Sequence, residues 1–386
     1  MNSRILLFLM TLLLVPVLTY FVILFARGYR PGINRAGNAV LQPTGILAAN
    51  SLPEGAQLYI NGLFKSATNT NLNLTPGAYE IEIKKESYYP WKKTLQIKPE
   101  EVTRAAAVLF PTIPALKAIT TTGASLPTLS PDGTKIVYVQ SLNKLSNVYI
   151  YDLNDSPIGI LNRDPRLAFT LNTKIKGLGW SPDSKQVMAQ ASTSAYLGDA
   201  NQAVAPILVA SPSSQLATWA RVVKTREDLK LAALPLPLRE TLASSAANLV
   251  WSPKENKVMY TATASGMLAP NLVRPLPGSS TQPQERTLVP GSIYVYDLEE
   301  DRNFKVGQVD SKVKLSWFPT SWHLVRLEKN TVTIFEYDGG NPTVVYAGPM
   351  DYSYAFPYPT SRQLLILTNL DPTVSADLNL YAVSLR

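Results

Sequence analysis

The sequence predicts an all-β protein with one N-terminal transmembrane helix: a small β-sandwich followed by a five- or six-bladed β-propeller. Three observations carry that prediction. An uncharged apolar run, Ile5 to Ala26, opens the chain. A segment alternating apolar with charged residues follows, punctuated by Asn61-Gly62 and Pro76-Gly77, which are turn pairs. The remainder repeats a proline-marked unit roughly every 40 residues, the period of a propeller blade.

The opening run reads ILLFLMTLLLVPVLTYFVILFA. About 20 apolar residues cross a bilayer as a helix, and membrane helices tolerate a proline such as Pro16. A secretory signal has a shorter apolar core that ends in a small-residue cleavage site. Here the run continues into Arg27-Gly28-Tyr29-Arg30-Pro31 with no such site, so residues 1–30 are expected to be an uncleaved anchor. The flanking charges, Arg4 on one side and Arg27, Arg30 and Arg35 on the other, do not favour an exported C-terminus.

Residues 31–43, marked by proline and glycine, are expected to be a linker, and 44–110 a β-sandwich. Within the latter, Ala78-Tyr79-Glu80-Ile81-Glu82-Ile83-Lys84 alternates strictly. Tyr79, Ile81 and Ile83 then share the buried face of a strand. Thr94-Leu95-Gln96-Ile97-Lys98 repeats the pattern. Between them lies the candidate binding stretch, where Tyr88, Tyr89 and Trp91 interleave with Lys92 and Lys93. Aromatic faces beside ammonium groups can hold glycans, anionic polymers or a lipid interface. The same residues can instead simply cover the sandwich.

Pro53-Glu54-Gly55-Ala56, then Leu58-Tyr59-Ile60-Asn61-Gly62 and Pro76-Gly77-Ala78-Tyr79, resemble the PEGA domain. The resemblance implies a small all-β sandwich from an envelope protein, and it is the basis for expecting the bulk of the chain outside the cytoplasm. The chain departs from the family pattern at Ser66-Ala67-Thr68-Asn69, where Gly-x-Thr-Pro is usual, and at Ser87, where glycine is usual.

Across residues 112–386 the repeats begin at Leu129-Ser130-Pro131-Asp132-Gly133, Trp180-Ser181-Pro182-Asp183, Trp251-Ser252-Pro253-Lys254, Trp317-Phe318-Pro319-Thr320 and Tyr358-Pro359-Thr360-Ser361. Each reads as an inner strand, a turn in which proline fixes φ, and a second apolar strand. Val148-Tyr149-Ile150-Tyr151-Asp152-Leu153 and Ile293-Tyr294-Val295-Tyr296-Asp297-Leu298 read as matching third strands. These units resemble the WD-like repeats of TolB-type propellers. Pairing of Pro114 to Thr120 with the final strand, Leu378 to Val383, is expected to close the ring. Thr225 to Asn248 is expected to carry a short helix, and Ser265 to Gly291 to form a long surface loop.

Composition narrows the function. The chain has no cysteine and one histidine, His323, which excludes thiolate chemistry and multi-histidine metal sites. No nucleophile elbow, phosphate loop or zinc-protease motif occurs. Catalytic, cofactor-binding and metal-binding residues are therefore expected to be none, and the protein not to be an enzyme. Net charge is +8, but the basic residues are dispersed, so no nucleic-acid partner is expected. The expectation is a single-pass cell-membrane protein that binds or scaffolds, facing the envelope, with a protein or cell-wall polymer as partner. Two alternatives stay open: a glycan- or peptide-active propeller enzyme using central carboxylates, and a cytoplasmic-facing membrane scaffold.

Overall fold

In the computed structural model the described residues are 3–33, 39–142, 145–153, 164–274, 276, 278–351, 354–370 and 377–386. The chain divides into two compact units, Met1–Leu109 with Arg274–Pro283, and Phe110–Val273 with Gln284–Arg386.

The first unit begins with helix α1 (Ser3–Ala26), continuous through Pro16. Its 20 residues from Leu7 to Ala26 are apolar enough to cross a membrane, and none is buried by protein. Strands β1 (Tyr29–Ile33) and β2 (Ala39–Pro43) form a hairpin within the segment expected to be a linker. A sandwich of two sheets follows, made of β3 (Gly45–Leu52), β4 (Gln57–Ile60), β5 (Leu63–Ala67), β6 (Thr70–Leu74), β7 (Gly77–Lys84), β8 (Trp91–Ile97) and β9 (Val102–Val108). The sheet orders are β6-β3-β9 and β5-β4-β7-β8. The alternation read from sequence is realised: Leu58, Ile81, Ile83, Trp91, Leu95 and Ile97 close one core with Leu47 and Ala105. The open edge of β8 is covered by the Arg274–Pro283 segment. Gln96 N donates to Thr281 Oγ1 at 3.2 Å, and Gln282 Nε2 donates to Thr94 O at 2.9 Å. Covering a sheet edge blunts it as a template for stray strands.

The second unit is a propeller of four-stranded antiparallel sheets, five of them among the described residues. After β10 (Leu116–Ala118), the first sheet holds β11 (Ser125–Leu129), β12 (Lys135–Leu142), β13 (Leu145–Asp152) and β14 (Arg166–Leu171). The second holds β15 (Gly177–Trp180), β16 (Gln186–Gln190), β17 (Ala195–Asp199) and β18 (Ile207–Leu208). Helices α2 (Pro212–Ala232) and α3 (Leu236–Ser245) precede the third, of β19 (Ala246–Trp251), β20 (Lys257–Ala262), β23 (Ser292–Asp297) and β24 (Arg302–Gln308); the short pair β21 (Gly266–Met267) and β22 (Thr287–Leu288) is inserted between β20 and β23. The fourth holds β25 (Lys314–Trp317), β26 (His323–Glu328), β27 (Thr331–Glu336) and β28 (Thr343–Ala347). The fifth holds β29 (Ala355–Pro357), β30 (Gln363–Thr368) and β31 (Asn379–Ser384), with β10 as its outer strand. That last pairing sets Leu116 opposite Val383 and Ala118 opposite Tyr381.

Every repeat turn has the same backbone. The second residue after the turn proline is left-handed in all five: Gly133 (φ 71°), Ser184 (61°), Glu255 (58°), Ser321 (63°) and Ser361 (59°). Only the first is the glycine that accepts this conformation without strain. The serines turn the constraint to use. Ser184 Oγ accepts the Asp132 N–H at 3.1 Å, and Ser321 Oγ accepts the Lys254 N–H at 2.9 Å, each from the preceding sheet's turn. The repeat tryptophans reach back the same way. Trp180 Nε1 donates to Thr128 O at 3.0 Å and Trp317 Nε1 to Val250 O at 2.9 Å.

One junction differs. The face of the first sheet formed by Ile136, Tyr138 and Tyr149 packs on Leu365, Leu367 and Leu380 of the fifth. The equivalent face of the third sheet, Val258, Tyr260 and Tyr294, packs instead on Leu238 and Leu242 of α3 and on Leu268 and Leu288 of the inserted segment. Trp251 Nε1 has no hydrogen-bond partner there. Helix α2 spans the gap with polar contacts: Arg226 Nη1 donates to Pro182 O at 3.0 Å, and Lys230 pairs with Glu255 at 2.9 Å. The helical region is thus longer than sequence suggested and starts at Pro212. The segment from Ser265 to Gly291, expected to be a surface loop, buries Leu268 and Leu288.

Ser321→Ala removes a buried acceptor and strands the Lys254 N–H, whereas Ser361→Ala alters a turn of the same backbone without a cross-sheet bond of this kind. Thermal unfolding of the full chain in detergent should show Ser321→Ala less stable than Ser361→Ala by about 1–2 kcal/mol. Equal losses would mean that the left-handed turn, and not the bond, sets the cost.

Candidate binding surfaces

The aromatic–basic stretch of the first unit is divided by strand geometry. Trp91 opens β8 opposite Ile83 of β7. It points with Leu95 and Ile97 into the core and is 4% exposed. Tyr88 packs partly against the same core. Tyr89, in the connecting turn, remains 37% exposed. Lys92 and Lys84 both bind the Glu82 carboxylate at 2.9 Å. Burial acts to raise the pKa of Glu82, but the bonds from Lys84 and Lys92 outweigh it and hold the carboxyl below its ordinary range. Lys93 lies 6.0 Å from the Trp91 ring centroid, within the reach of a cation–π contact. Of the five candidates, Tyr89 and Lys92 are therefore the most exposed, Tyr88 and Lys93 are half-buried, and Trp91 is buried.

In the propeller the recurring carboxylates are engaged by their own turns. Asp132 Oδ1 accepts from Ser130 Oγ at 2.5 Å, Thr134 N at 3.1 Å and Thr134 Oγ1 at 2.9 Å. Asp183 Oδ1 accepts from Ser181 Oγ at 2.6 Å and Lys185 N at 3.2 Å. Asp297 Oδ1 accepts from Glu299 N and Glu300 N at 2.9 and 3.1 Å. Such turns satisfy backbone N–H groups that a tight reversal leaves open. His323 is 5% exposed. Its Nδ1 lies 3.2 Å from Thr320 Oγ1, and its ring stands edge-on to Phe110 and Phe318. Among the described residues no group of three or more His, Asp or Glu side chains could hold a metal ion.

Register exposes a recurrence that the sequence reading passed over. The first residue of each sheet's second strand lies four residues after the turn proline and faces a polar residue at the end of the third strand. The pairs are Lys135 with Asp152, Gln186 with Asp199, Lys257 with Asp297, His323 with Glu336, and Gln363 with Ser384. The third pair is sealed. Lys257 is 0% exposed and Asp297 1%, with Nζ and Oδ2 3.1 Å apart. The ammonium also sits 4.3 Å from the Trp322 ring and 4.7 Å from the Tyr337 ring, both from the fourth sheet. Two aromatic faces supply part of the solvation that burial removes. Burial first, and then the Asp297 carboxylate, push the Tyr337 phenol far up, which keeps it neutral. Lysines at 135 and 257, each four residues beyond its Ser-Pro proline, were the available signal.

Removing the Lys257 charge leaves Asp297 buried without its counter-ion. Lys257→Met should therefore cost about 3 kcal/mol or more by chemical unfolding. Asp297→Asn, which keeps an acceptor for the Glu299 and Glu300 N–H groups, should cost less. Reversal of that order would deny the ion pair its role. The acid limb of stability follows from the turn carboxylates. For Asp183 the Ser181 bond, then the Lys185 N–H, lowers the pKa. For Asp132 burial opposes the shift, but the bonds from Ser130 and Thr134 prevail and lower it. Folded values below the unfolded ones mean stabilisation that is present above the ordinary carboxylate pKa and lost as pH falls through the lowered value. Melting temperature should drop below roughly pH 4, and the Asp132→Asn, Asp183→Asn double variant should show a shallower drop. An unchanged slope would place the titrating groups elsewhere.

Residues 44–113 match the PEGA domain family. No curated protein matches the sequence. Among solved structures, TolB from Acinetobacter baumannii aligns at 14% identity over 79% of this chain and 60% of its own, with a TM-score of 0.24. The putative TolB from Agrobacterium tumefaciens aligns at 11% identity over 72% of this chain and 73% of its own, with a TM-score of 0.20. The first unit therefore carries a PEGA domain, which follows an apolar helix of membrane-spanning length and the β1–β2 pair.

Proposed function

We propose that this chain is a single-pass membrane protein that binds or scaffolds an envelope partner, a protein or a cell-wall polymer, with both units on the extracytoplasmic side. The observation that carries the reading is the unburied apolar helix α1 leading through the β1–β2 hairpin to a PEGA domain. A helix that leaves 20 apolar residues unburied is best solvated by lipid. The PEGA resemblance supports envelope placement, since the flanking arginines do not.

A binding role is supported by what the side chains are doing. The propeller carboxylates Asp132, Asp183 and Asp297 hold turns, and His323 is packed between phenylalanines. What is left to solvent is contact surface: Tyr89 and Lys92 on the first unit, and on the second the outer face of α2. That helix has no buried residue, and it exposes Val222 and Val223 on a basic background of Arg221 and Lys224. Exposed side chains on a rigid scaffold are where recognition is concentrated.

The chain lacks cysteine, so a single Ser213→Cys in α2 can be labelled cleanly. A membrane-impermeant maleimide should modify it in intact spheroplasts to the same extent as after lysis. Labelling only after lysis would reverse the orientation and favour the cytoplasmic-facing scaffold.

A further inference from the structure

We infer that the β1–β2 hairpin is a second membrane contact, lying in the lipid headgroup layer with Arg30 directed at lipid phosphate. The inference rests on the membrane-anchored reading of α1 and adds to it a partner for a different element.

The helix and the hairpin root are joined without slack. Gly28, at φ 94°, ends the helix, as a left-handed glycine commonly does. Its carbonyl accepts from Thr44 N at 3.1 Å and also from Thr44 Oγ1. Thr44 O in turn accepts from Glu100 N at 3.0 Å, and Arg27 grips Glu100 Oε2 through Nη2 at 2.8 Å and Nε at 3.1 Å. A side chain on Gly28 would come within 3.1 Å of Thr44 O. Both ends of the hairpin are thus fixed within one residue pair of the helix terminus.

Helix length then sets depth. Twenty residues rising about 1.5 Å each cover about 30 Å, the thickness of the hydrocarbon core. With Leu7 at one boundary, Ala26 reaches the other, and the hairpin begins where headgroups begin. Arg30 is built for that level. Its guanidinium lies 3.8 Å above the ring of Phe25, in the last turn of the apolar helix. Nη1 donates to Phe25 O at 2.7 Å and to Tyr29 O at 3.1 Å. The cation thus caps the negative end of the helix while its stem covers an apolar ring, the arrangement of an arginine reaching toward the interface. Across the hairpin, Pro31 pairs with Leu41, and Leu41 is 42% exposed. Pro31 and Leu41 thus lie on one face of the hairpin and Arg30 on the other, an amphipathic division that suits an element at the boundary between acyl chain and phosphate.

The test uses the full chain with single cysteines carrying an environment-sensitive dye, reconstituted in vesicles of equal parts phosphatidylcholine and phosphatidylglycerol. The Leu41→Cys label should be quenched by headgroup spin-labelled lipid, and aqueous iodide should quench it roughly threefold less than the Tyr89→Cys label, as for an interfacial site. Adding Arg30→Gln should raise iodide access at residue 41. Iodide access at 41 equal to that at 89, or unaffected by Arg30→Gln, would overturn the inference. A label at Leu14→Cys separates the two readings. If acyl-chain spin label quenches it while 41 is open to iodide, the anchor stands and the hairpin contact falls; if it is not quenched, both fall.

Discussion

A four-stranded sheet with two apolar faces cannot cover either from within itself, and the second unit depends on that constraint throughout. Each sheet must borrow cover from a neighbour, so neighbours must be held at one spacing and one phase. The repeat turn does this at the level of single atoms. Its hydroxyl closes its own turn, as Ser130 Oγ, Ser181 Oγ and Ser252 Oγ each accept the N–H of the residue five positions on. Its left-handed serine, at 184 and 321, reaches the turn before. The tryptophan that ends the inner strand ties the same pair of sheets from another side. Local turn chemistry and sheet packing thereby become one device, repeated because the geometric problem repeats.

The junction between the second and third sheets tests that account. There the residue at the left-handed position is Glu255 and not serine, and Trp251 has no carbonyl to bond. Both bonds found at other junctions are missing together, and α3 supplies the apolar cover in their place. The compensation at the turns is ionic and exposed, through Arg226 and Lys230. Surface contacts of that kind contribute little each, so most of the stabilisation here rests on Leu238 and Leu242 burying against the tyrosines of the third sheet. The insertion is therefore structural at α3 and at the end of α2, where Leu231 packs on the same core, and the exposed face of α2 around Val222 and Val223 is the part that packing leaves unclaimed.

The strands were largely legible because period-two alternation records which face is buried. The five prolines located five turns correctly even where Asp and Gly are absent, since proline sets the turn and a serine can adopt the strained residue's conformation. Other features left no comparable trace. Helix α2 buries no side chain, so it carries no apolar stripe, and a periodicity reading finds nothing between Pro212 and Thr225. The division of the candidate stretch was readable in principle: Trp91, Leu95 and Ile97 keep the alternation that marks a buried face, and extending it backward from Leu95 would have placed the tryptophan inside. Lys257 was hidden for a different reason. A lysine beginning a strand reads as solvent-facing, and only the register against Asp297, with Trp322 contributed by the following repeat, turns it inward.

Charge distribution connects these points to function. Several acidic side chains in this sparsely charged chain are committed to structure: Glu82 under two lysines, Glu100 at the helix joint, Asp132 and Asp183 in turns, Asp297 against the buried Lys257. A carboxylate held by backbone N–H groups or buried cations contributes little to the field felt by a distant ligand. Part of the basic excess of +8 sits on exposed side chains such as Arg221 and Lys224 of α2. Under the envelope role proposed above, such exposed cations would suit an acidic polymer or an anionic lipid surface. Attraction of that kind is diffuse and salt-dependent, so selectivity for the proposed partner would have to come from shaped features such as Tyr89 and the exposed face of α2.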